Sequence, residues 1–161
     1  MRQNVNKTIK RSGRVAGLVL ALLLLGTQVA WAGQWEEQET GGRKYQEDGA
    51  YLTDWQQIDG VWYYFSSETG LYVEKPSLTS AVAVAHLLEN AVNRSGWYKN
   101  ETYPIHYNID NVTGYKMTVS VWEETAPDSV TSTLGVFDVN LRNGQAKEQS
   151  TKNILDLYGG Q

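Results

Sequence analysis

The sequence predicts an α+β fold in which a short β-hairpin repeat module precedes one helix packed on a four-stranded antiparallel sheet. Three observations support this prediction. Aromatic residues crowd into positions 35–72, an apolar period of helical type follows, and alternation of apolar and polar residues then dominates positions 105–150. Those two periods distinguish helix from strand. We therefore expect a targeting segment at 1–32, the repeat module at 33–75 and a small α+β domain at 76–161.

The first 32 residues have the composition of an export signal. They contain five basic residues and no acid, and an apolar run of about 11 residues extends from Val15 to Leu25. This run is shorter than the roughly 20 residues that a membrane span requires. Small residues at Ala30 and Ala32 predict cleavage after Ala32. An uncleaved N-terminal anchor is the alternative, because residues 26–32 are also mostly apolar.

Charge and cysteine content narrow the class of protein. Five of the 14 basic residues precede residue 33, which leaves nine against all 18 acidic residues. Nucleic-acid binding needs a basic surface, so we expect no nucleic-acid partner. The chain has no cysteine, which excludes disulfides and a cysteine-linked lipid. We expect an extracellular, cell-wall-associated protein of a Gram-positive envelope, with no membrane span after cleavage.

The aromatic stretch contains an internal repeat with a period near 20 residues. Two units follow, at about 33–53 and 54–73. In the second, Asp59-Gly60 is a hairpin turn signal that leads into the β-favouring residues 61–65, so we expect one short hairpin per unit. The matched positions are Trp35 with Trp55, Tyr45 with Tyr63 or Tyr64, Gly49 with Gly70, and Tyr51 with Tyr72.

The second unit, WQQIDGVWYYFSSETGLYV, resembles the cell-wall-binding repeats, also called choline-binding or glucan-binding repeats, of Gram-positive surface proteins. The first unit is a weaker match, with Lys44 where the second has an aromatic residue. In that family, aromatic residues of stacked hairpins cage the choline groups of teichoic acid or line carbohydrate sites. Ring faces attract a quaternary ammonium group. The resemblance implies a ligand-binding aromatic cage formed by Trp55, Trp62 and Tyr64.

A structural role is the alternative for these aromatic residues. Strand alternation places Trp62 and Tyr64 on one face of their strand and Tyr63 and Phe65 on the other. Family sites form between consecutive units, and this chain has one good unit and one poor one. The rings would then mainly hold the hairpins together.

A helix is predicted after Pro76, capped by Ser77 or Thr79 and running to about Arg94, with Gly96 just beyond its end. One predicted face points to the core. A second, smaller stripe would dock on the repeat module or on a partner. The core face comprises Leu78, Ala81, Val82, Ala85, Leu88 and Val92, and the second stripe comprises Val84, Leu87 and Ala91.

Four strands are predicted to follow, at about 105–110, 115–121, 130–141 and 145–150, with a turn at 126–129. A shift of the apolar set predicts a bulge near Gly135, and Asn143-Gly144 is a strong hairpin signal. Residues 154–158 are predicted as a last helical turn. The pattern loosely resembles small extracytoplasmic domains of the PepSY or cystatin-like type, a likeness that carries no site residues across.

The predicted C-terminal domain offers little chemistry. His86 and His106 are the two histidines of the chain, and their spacing to acidic residues matches no metal motif. We therefore expect no catalytic residue, no metal and no cofactor. Trp122 lies among polar residues of its strand, so it either packs on the helix through the bulge or is exposed for binding.

These observations favour a secreted, non-enzymatic surface protein that its aromatic repeats retain at the envelope. The expected partner of the repeats is teichoic acid choline or a wall glycan. The C-terminal domain would bind a peptide, a protein or an envelope component. The alternative is a regulator or inhibitor of an exported hydrolase or protease.

Overall fold

Short antiparallel strands form the N-terminal part of the described chain. The computed structural model describes residues 33–99, 103–125 and 131–159. The predicted export signal and the turn predicted at 126–129 therefore lie outside the described residues. A three-stranded sheet comprises β1 (Gln34–Glu37), β2 (Arg43–Glu47) and β3 (Ala50–Tyr51), and a two-stranded sheet comprises β4 (Asp54–Ile58) and β5 (Val61–Phe65).

Two Asp-Gly turns connect strands of this region in the same conformation. Asp48 and Gly49 have φ values of 51° and 81°, and Asp59 and Gly60 have φ values of 51° and 79°. Positive φ at both central residues is the condition for a type I′ hairpin turn, which explains the glycines. Gly49 and Gly60 share this conformation. Gly70, at φ 68°, has the position in its unit that was predicted to match Gly49, because Tyr51 and Tyr72, two residues after these glycines, each pair with the second strand of their unit.

The first unit contains the predicted hairpin, formed by β1 and β2, and adds a third strand to it. The Asp48-Gly49 turn adds β3 to the edge of β2, with Glu47 paired to Ala50. The second unit is a hairpin in which β4 pairs with β5 from Asp54 and Phe65 to Ile58 and Val61. The two sheets meet where Tyr72 pairs with Phe65 and donates its N–H to the Arg43 carbonyl at 2.8 Å.

Helix α1 (Ala81–Ser95) begins and ends at capping residues. The Ser80 hydroxyl accepts the Ala83 N–H at 3.0 Å, and Gly96 adopts the left-handed conformation at φ 73°. Gly96 is thus confirmed as the residue that ends the helix. The predicted caps, Ser77 and Thr79, lie before the helix and contact each other at 3.1 Å between their hydroxyls.

The buried face of α1 agrees with the predicted core face only in part. Leu78, Leu88 and Val92 are buried as predicted. The buried positions of the helix follow an i, i+3, i+4, i+7, i+8 pattern, whereas Val82 is 52% exposed and Ala81 is also exposed. The stripe expected to dock on the repeats therefore belongs to the main core. The buried apolar residues of this pattern are Val84, Leu87, Leu88, Ala91 and Val92.

Helix α1 packs on a five-stranded antiparallel sheet. The α+β class is therefore confirmed, but the predicted count of four strands is wrong. Residues 154–156 form a strand that pairs with its neighbour through Leu155 and Ala146, where a helical turn was predicted. Leu155 and the buried Leu157 contribute to the core. The strand order is β10-β9-β8-β7-β6, with β6 (Ile105–Thr113), β7 (Lys116–Glu124), β8 (Thr131–Asn140), β9 (Gln145–Glu148) and β10 (Ile154–Asp156).

The bulge predicted near Gly135 is confirmed. Val121 pairs with Gly135 and Trp122 pairs with Thr133, which leaves Leu134 as the extra residue of β8. A Cβ atom at Gly135 would lie 2.4 Å from the Tyr98 hydroxyl oxygen, so only glycine fits beneath that ring. A second register shift places Asp110 as an extra residue of β6.

One side of the sheet packs on α1, and the other side carries polar residues. Met117, Val119, Val121, Phe137 and Val139 point toward the helix and are fully or almost fully buried. α1 is the one helix among the described residues, and it lies on this side. We call the opposite side the open face; its residues include His106, Asn108, Asp110, Lys116, Thr118, Ser120, Trp122, Asp138, Asn140, Gln145 and Lys147.

A buried carboxylate organises the turn between β9 and β10. Glu148 is 4% exposed and accepts hydrogen bonds from the Ser150 hydroxyl at 2.9 Å, the Thr151 hydroxyl at 2.8 Å and the Thr151 N–H. Burial alone would raise the pKa of Glu148, but these hydrogen bonds outweigh it and lower the pKa from 4.5 to about 2. The charged form of Glu148 thus stabilises the folded state.

We predict that Glu148→Gln lowers the free energy of unfolding by about 1–3 kcal/mol at pH 7, because it weakens charge-assisted hydrogen bonds in a buried turn. The folded-state pKa lies below the unfolded one. The contribution of Glu148 is therefore fully present above pH 4.5 and is lost as the pH falls toward 2. Urea unfolding at pH 7 and pH 3 checks this expectation. The exposed Glu124→Gln is the control, and a Glu148→Gln deficit that does not shrink at pH 3 would contradict it.

Candidate functional site

Trp62 joins the aromatic hairpin to helix α1. Its backbone N–H donates to the Asn90 side-chain oxygen at 2.8 Å, and the Asn90 side-chain NH₂ donates to the Trp62 carbonyl at 2.7 Å. The indole Nε1 donates to Glu89 Oε2 at 2.8 Å. The indole also stacks on the His86 ring, with centroids 3.7 Å apart and planes at 24°. Trp62 therefore faces the helix through both its backbone and its ring.

The three residues predicted to form an aromatic cage lie together in the structure. Trp55 and Tyr64 are paired across β4 and β5, with ring centroids 5.2 Å apart, and Trp55 lies 5.2 Å from His86. The imidazole thus contacts both tryptophans of the predicted cage. Ligand binding by Trp55, Trp62 and Tyr64 stays a prediction.

His86 is uncharged at neutral pH in this environment. Burial lowers the pKa of its imidazole below the ordinary value of 6.5. The ring that contacts Trp62 and Trp55 is therefore neutral at pH 7 and packs as an aromatic group. This cluster is held by ring packing together with the hydrogen bonds to Glu89 and Asn90.

A small cavity of about 170 Å³ lies beside two of the cage residues. Its volume is below the range of about 300–1,000 Å³ that is usual for ligand pockets. A cavity of this volume can hold a small group but not a whole drug-sized ligand. Its lining consists of Trp55, Tyr64, Pro76, Ser77, Thr79, Ser80 and Ala83.

A second aromatic cluster surrounds Trp35, on the opposite face of β5. The Arg43 guanidinium carbon lies 4.4 Å from the Trp35 ring centroid and 4.7 Å from that of Tyr72. The cation beside these rings thus comes from the chain itself. The rings around Trp35, at centroid distances of 5.2–5.7 Å, are Tyr45, Tyr63, Phe65 and Tyr72.

Hydrogen bonds fix the polar side chains at the centre of the open face. Asp110 accepts from the Asn108 side-chain amide at 3.0 Å and from the Ser120 hydroxyl at 2.9 Å. Asp138 accepts from the Thr118 hydroxyl at 3.0 Å and from the Gln149 side-chain amide at 3.1 Å. These hydrogen bonds therefore orient the side chains of Asp110 and Asp138 on the sheet.

Aromatic rings mark both ends of the open face. Trp122 stacks on His106, with centroids 4.3 Å apart, so it lies on the open face and does not pack on the helix. At the other end, the Arg142 guanidinium lies 3.5 Å from the Tyr115 ring centroid. Positions 115 and 122 are separated by about 23 Å along the chain, from a rise of about 3.3 Å per strand residue.

A groove of about 460 Å³ adjoins the Tyr115 end of the open face. Sequence reasoning missed this groove, because its residues come from five separate segments that only the strand order brings together. No single segment carries a motif for it. Its lining comprises Thr113, Tyr115, Lys116, Asp138, Asn140, Arg142, Gln145, Lys147 and Ile154.

The described residues offer no assembled metal centre. No group of three His, Cys, Asp or Glu side chains among residues 33–99, 103–125 and 131–159 lies close enough to hold a metal ion. His106 Nε2 lies 3.6 Å from Glu124 Oε2 on the open face, and His86 lies against Trp62. The two histidines thus belong to different clusters, and the absence of a catalytic residue stays a prediction.

Comparisons with known proteins give no assignment. No protein-family model, curated protein or solved structure matches this chain at a significant level. The resemblance of residues 54–73 to cell-wall-binding repeats stays a prediction from the residues themselves. Within the described part of the chain, no helix has the length and apolar character needed to cross a membrane.

We predict that Trp62→Ala lowers the free energy of unfolding by about 3 kcal/mol, because it removes a ring packed on His86. Trp62→Phe keeps an aromatic ring but loses the hydrogen bond to Glu89, so its cost should be about 1 kcal/mol. Chemical denaturation measures both values. Choline added at millimolar concentration should leave the tryptophan fluorescence of the wild-type protein unchanged. A saturable response that Trp62→Ala abolishes would instead establish an open cage.

A second prediction concerns acid pH. The folded-state pKa of His86 is below its unfolded value, so the unfolded state takes up a proton first as the pH falls below 6.5. Stability should therefore decrease from pH 6.5 to 5, by less than about 1 kcal/mol because the ring is only partly buried. His86→Phe should lack this decrease, which thermal unfolding at pH 8, 6.5 and 5 can measure. Parallel pH profiles of the two proteins would refute the expectation.

Proposed function

We propose that this protein is a secreted, non-enzymatic binding protein of the bacterial envelope, and that the open face of its sheet binds a wall glycan or a related hydroxyl-rich polymer. In this proposal the aromatic hairpins support helix α1 instead of carrying the ligand. The proposal keeps the surface location and binding role favoured by the sequence. It moves the binding surface from the predicted cage to the sheet.

The arrangement of the open face is the observation that carries the proposal. Sugar hydroxyls both donate and accept hydrogen bonds, and the faces of sugar rings are apolar. The open face supplies fixed carboxylates, hydroxyls and amides at its centre, with the partly exposed Trp122 at one end and the exposed Tyr115 at the other. A surface of this composition and length fits an extended polymer better than a small compact ligand.

The other tryptophans contact side chains of the protein itself, which also supports a binding surface outside the aromatic hairpins. Trp55 and Trp62 contact His86, and Trp35 contacts its ring neighbours and the Arg43 guanidinium. These rings stabilise the fold through their contacts with each other and with α1. Retention at an envelope would then depend on side chains that face outward.

Wall binding by open-face variants tests this proposal. Trp122→Ala should weaken binding to purified Gram-positive cell walls about tenfold, because it removes a stacking surface on the open face. The matched control is Tyr51→Ala, which removes a 44% exposed aromatic ring from the hairpin region. Sedimentation with the walls measures both, after circular dichroism shows that each variant is folded.

Three results distinguish the alternatives. Loss of binding in Trp122→Ala with retention in Tyr51→Ala supports the open face. The opposite pattern would return the ligand to the aromatic hairpins and reject the proposal. A folded wild-type protein that does not bind walls at all would also reject it, and would direct attention to inhibition of an exported hydrolase or protease.

A further inference from the structure

Positive charge is concentrated in one place on an otherwise acidic chain. Residues 33–161 contain nine basic and 18 acidic residues, yet the groove at the Tyr115 end has three basic side chains and one acidic side chain in its lining. Lys116, Arg142 and Lys147 are therefore a third of the basic residues of this region. Such a local excess of cations favours a negatively charged ligand.

The single acid of the groove does not cancel this charge. Asp138 pairs with Lys116, with Oδ2 and Nζ 3.5 Å apart, and also accepts hydrogen bonds from Thr118 and Gln149. Among the described residues, neither Arg142 nor Lys147 has a carboxylate within ion-pair distance. Asp138 is also the cross-strand neighbour of Lys147, so one carboxylate lies among three cations and the lining keeps an excess of two positive charges.

The fold holds the Arg142 end of the groove in place. The Leu141 N–H donates to the Tyr115 carbonyl at 2.8 Å, and the Arg142 N–H donates to the Asn140 side-chain oxygen at 2.9 Å. The guanidinium then lies 3.5 Å from the centroid of the Tyr115 ring, which keeps its planar donor groups oriented. Because the tight turn is pinned to the neighbouring hairpin, the cation and the aromatic ring form one unit before any ligand arrives.

Apolar surface borders the same groove. Tyr115 is 60% exposed and Ile154 is 57% exposed, and both line the groove beside the cations. A free inorganic anion has no apolar surface with which to contact these two side chains. A negatively charged group attached to a sugar or polyol would place its charge on Arg142 and Lys147 and its carbon skeleton against Tyr115 and Ile154.

We propose that this groove binds an anionic group, phosphate or carboxylate, carried by a sugar or polyol polymer, and that it selects negatively charged envelope polymers over neutral ones. The inference rests on the proposed function, since the groove opens onto the same face of the sheet. It adds the charge of the ligand, and it identifies Arg142 and Lys147 as specificity-determining residues.

Binding of purified polymers to the full protein tests this inference. Poly(glycerol phosphate) supplies phosphate, polygalacturonate supplies carboxylate, and dextran is the neutral control. The double variant Arg142→Gln with Lys147→Gln should weaken binding of the preferred anionic polymer at least about tenfold. The matched control, Lys75→Gln with Lys99→Gln, removes the same charge at exposed positions outside the groove and should change affinity less than about twofold. Raising the salt from about 50 to 500 mM should weaken wild-type binding and have little effect on the double variant.

The outcomes separate this inference from the proposed function. The inference is supported if an anionic polymer binds, if this binding depends on Arg142 and Lys147, and if dextran does not bind. The anionic polymer that binds more tightly then identifies the recognised group as phosphate or carboxylate. Equal losses in both double variants would show a net-charge effect and overturn it, as would dextran binding of equal strength or no binding of either anionic polymer. If Trp122→Ala abolishes wall binding but the groove variant retains it, the groove inference fails while the open face stands.

Discussion

The side chain of Asn90 links the two halves of the described structure. It is 2% exposed, and it satisfies both the N–H and the carbonyl of Trp62, much as a neighbouring strand would. A buried amide without such partners would cost about 1–3 kcal/mol, so the hairpin cannot slide along the helix without a substantial penalty. Because the two hydrogen bonds to Asn90 fix the hairpin along the helix, the Trp62 ring stacks on His86 and its Nε1 donates to Glu89.

That constraint determines how the aromatic residues are used. A strand presents alternate residues to opposite faces, so fixing Trp62 against the helix also places Tyr64 on the helix side and turns Tyr63 and Phe65 toward Trp35. Both faces of β5 are then occupied by the protein itself. The five-stranded sheet, in contrast, uses one face for the helix and leaves polar side chains on the other. The binding surface that we propose therefore lies away from the segment richest in aromatic residues.

Local signals in the sequence were sufficient for part of this architecture. Asp59-Gly60, Gly96 and the bulge beside Gly135 are confirmed, because each depends on the conformational preference of a few adjacent residues. The predicted period near 20 residues places Tyr51 with Tyr72, and in both units this tyrosine pairs with the preceding strand. The helix face was predicted only in part. Leu78, Leu88 and Val92 are buried as predicted, whereas Val82 is exposed and the stripe of Val84, Leu87 and Ala91 belongs to the same core. β10 has three residues, too few for alternation to distinguish a strand from a turn.

The groove could not be predicted from the sequence, for two reasons: its residues are distant in the chain, and its local charge is opposite to that of the whole chain. Tyr115, Arg142 and Lys147 lie on separate turns and strands, so no sequence window shows that they meet. Averaged over residues 33–161, the chain is acidic, and this average argues against any polyanion as partner. Electrostatic attraction within a groove acts over about a Debye length, roughly 8–10 Å at physiological salt, so a local pair of cations can bind where the whole surface repels. The acidic surface as a whole would repel anionic polymers, and the cationic groove would attract them. Only a polymer that places an anionic group at Arg142 and Lys147 would then bind. Such a charge distribution favours selectivity over strength of binding.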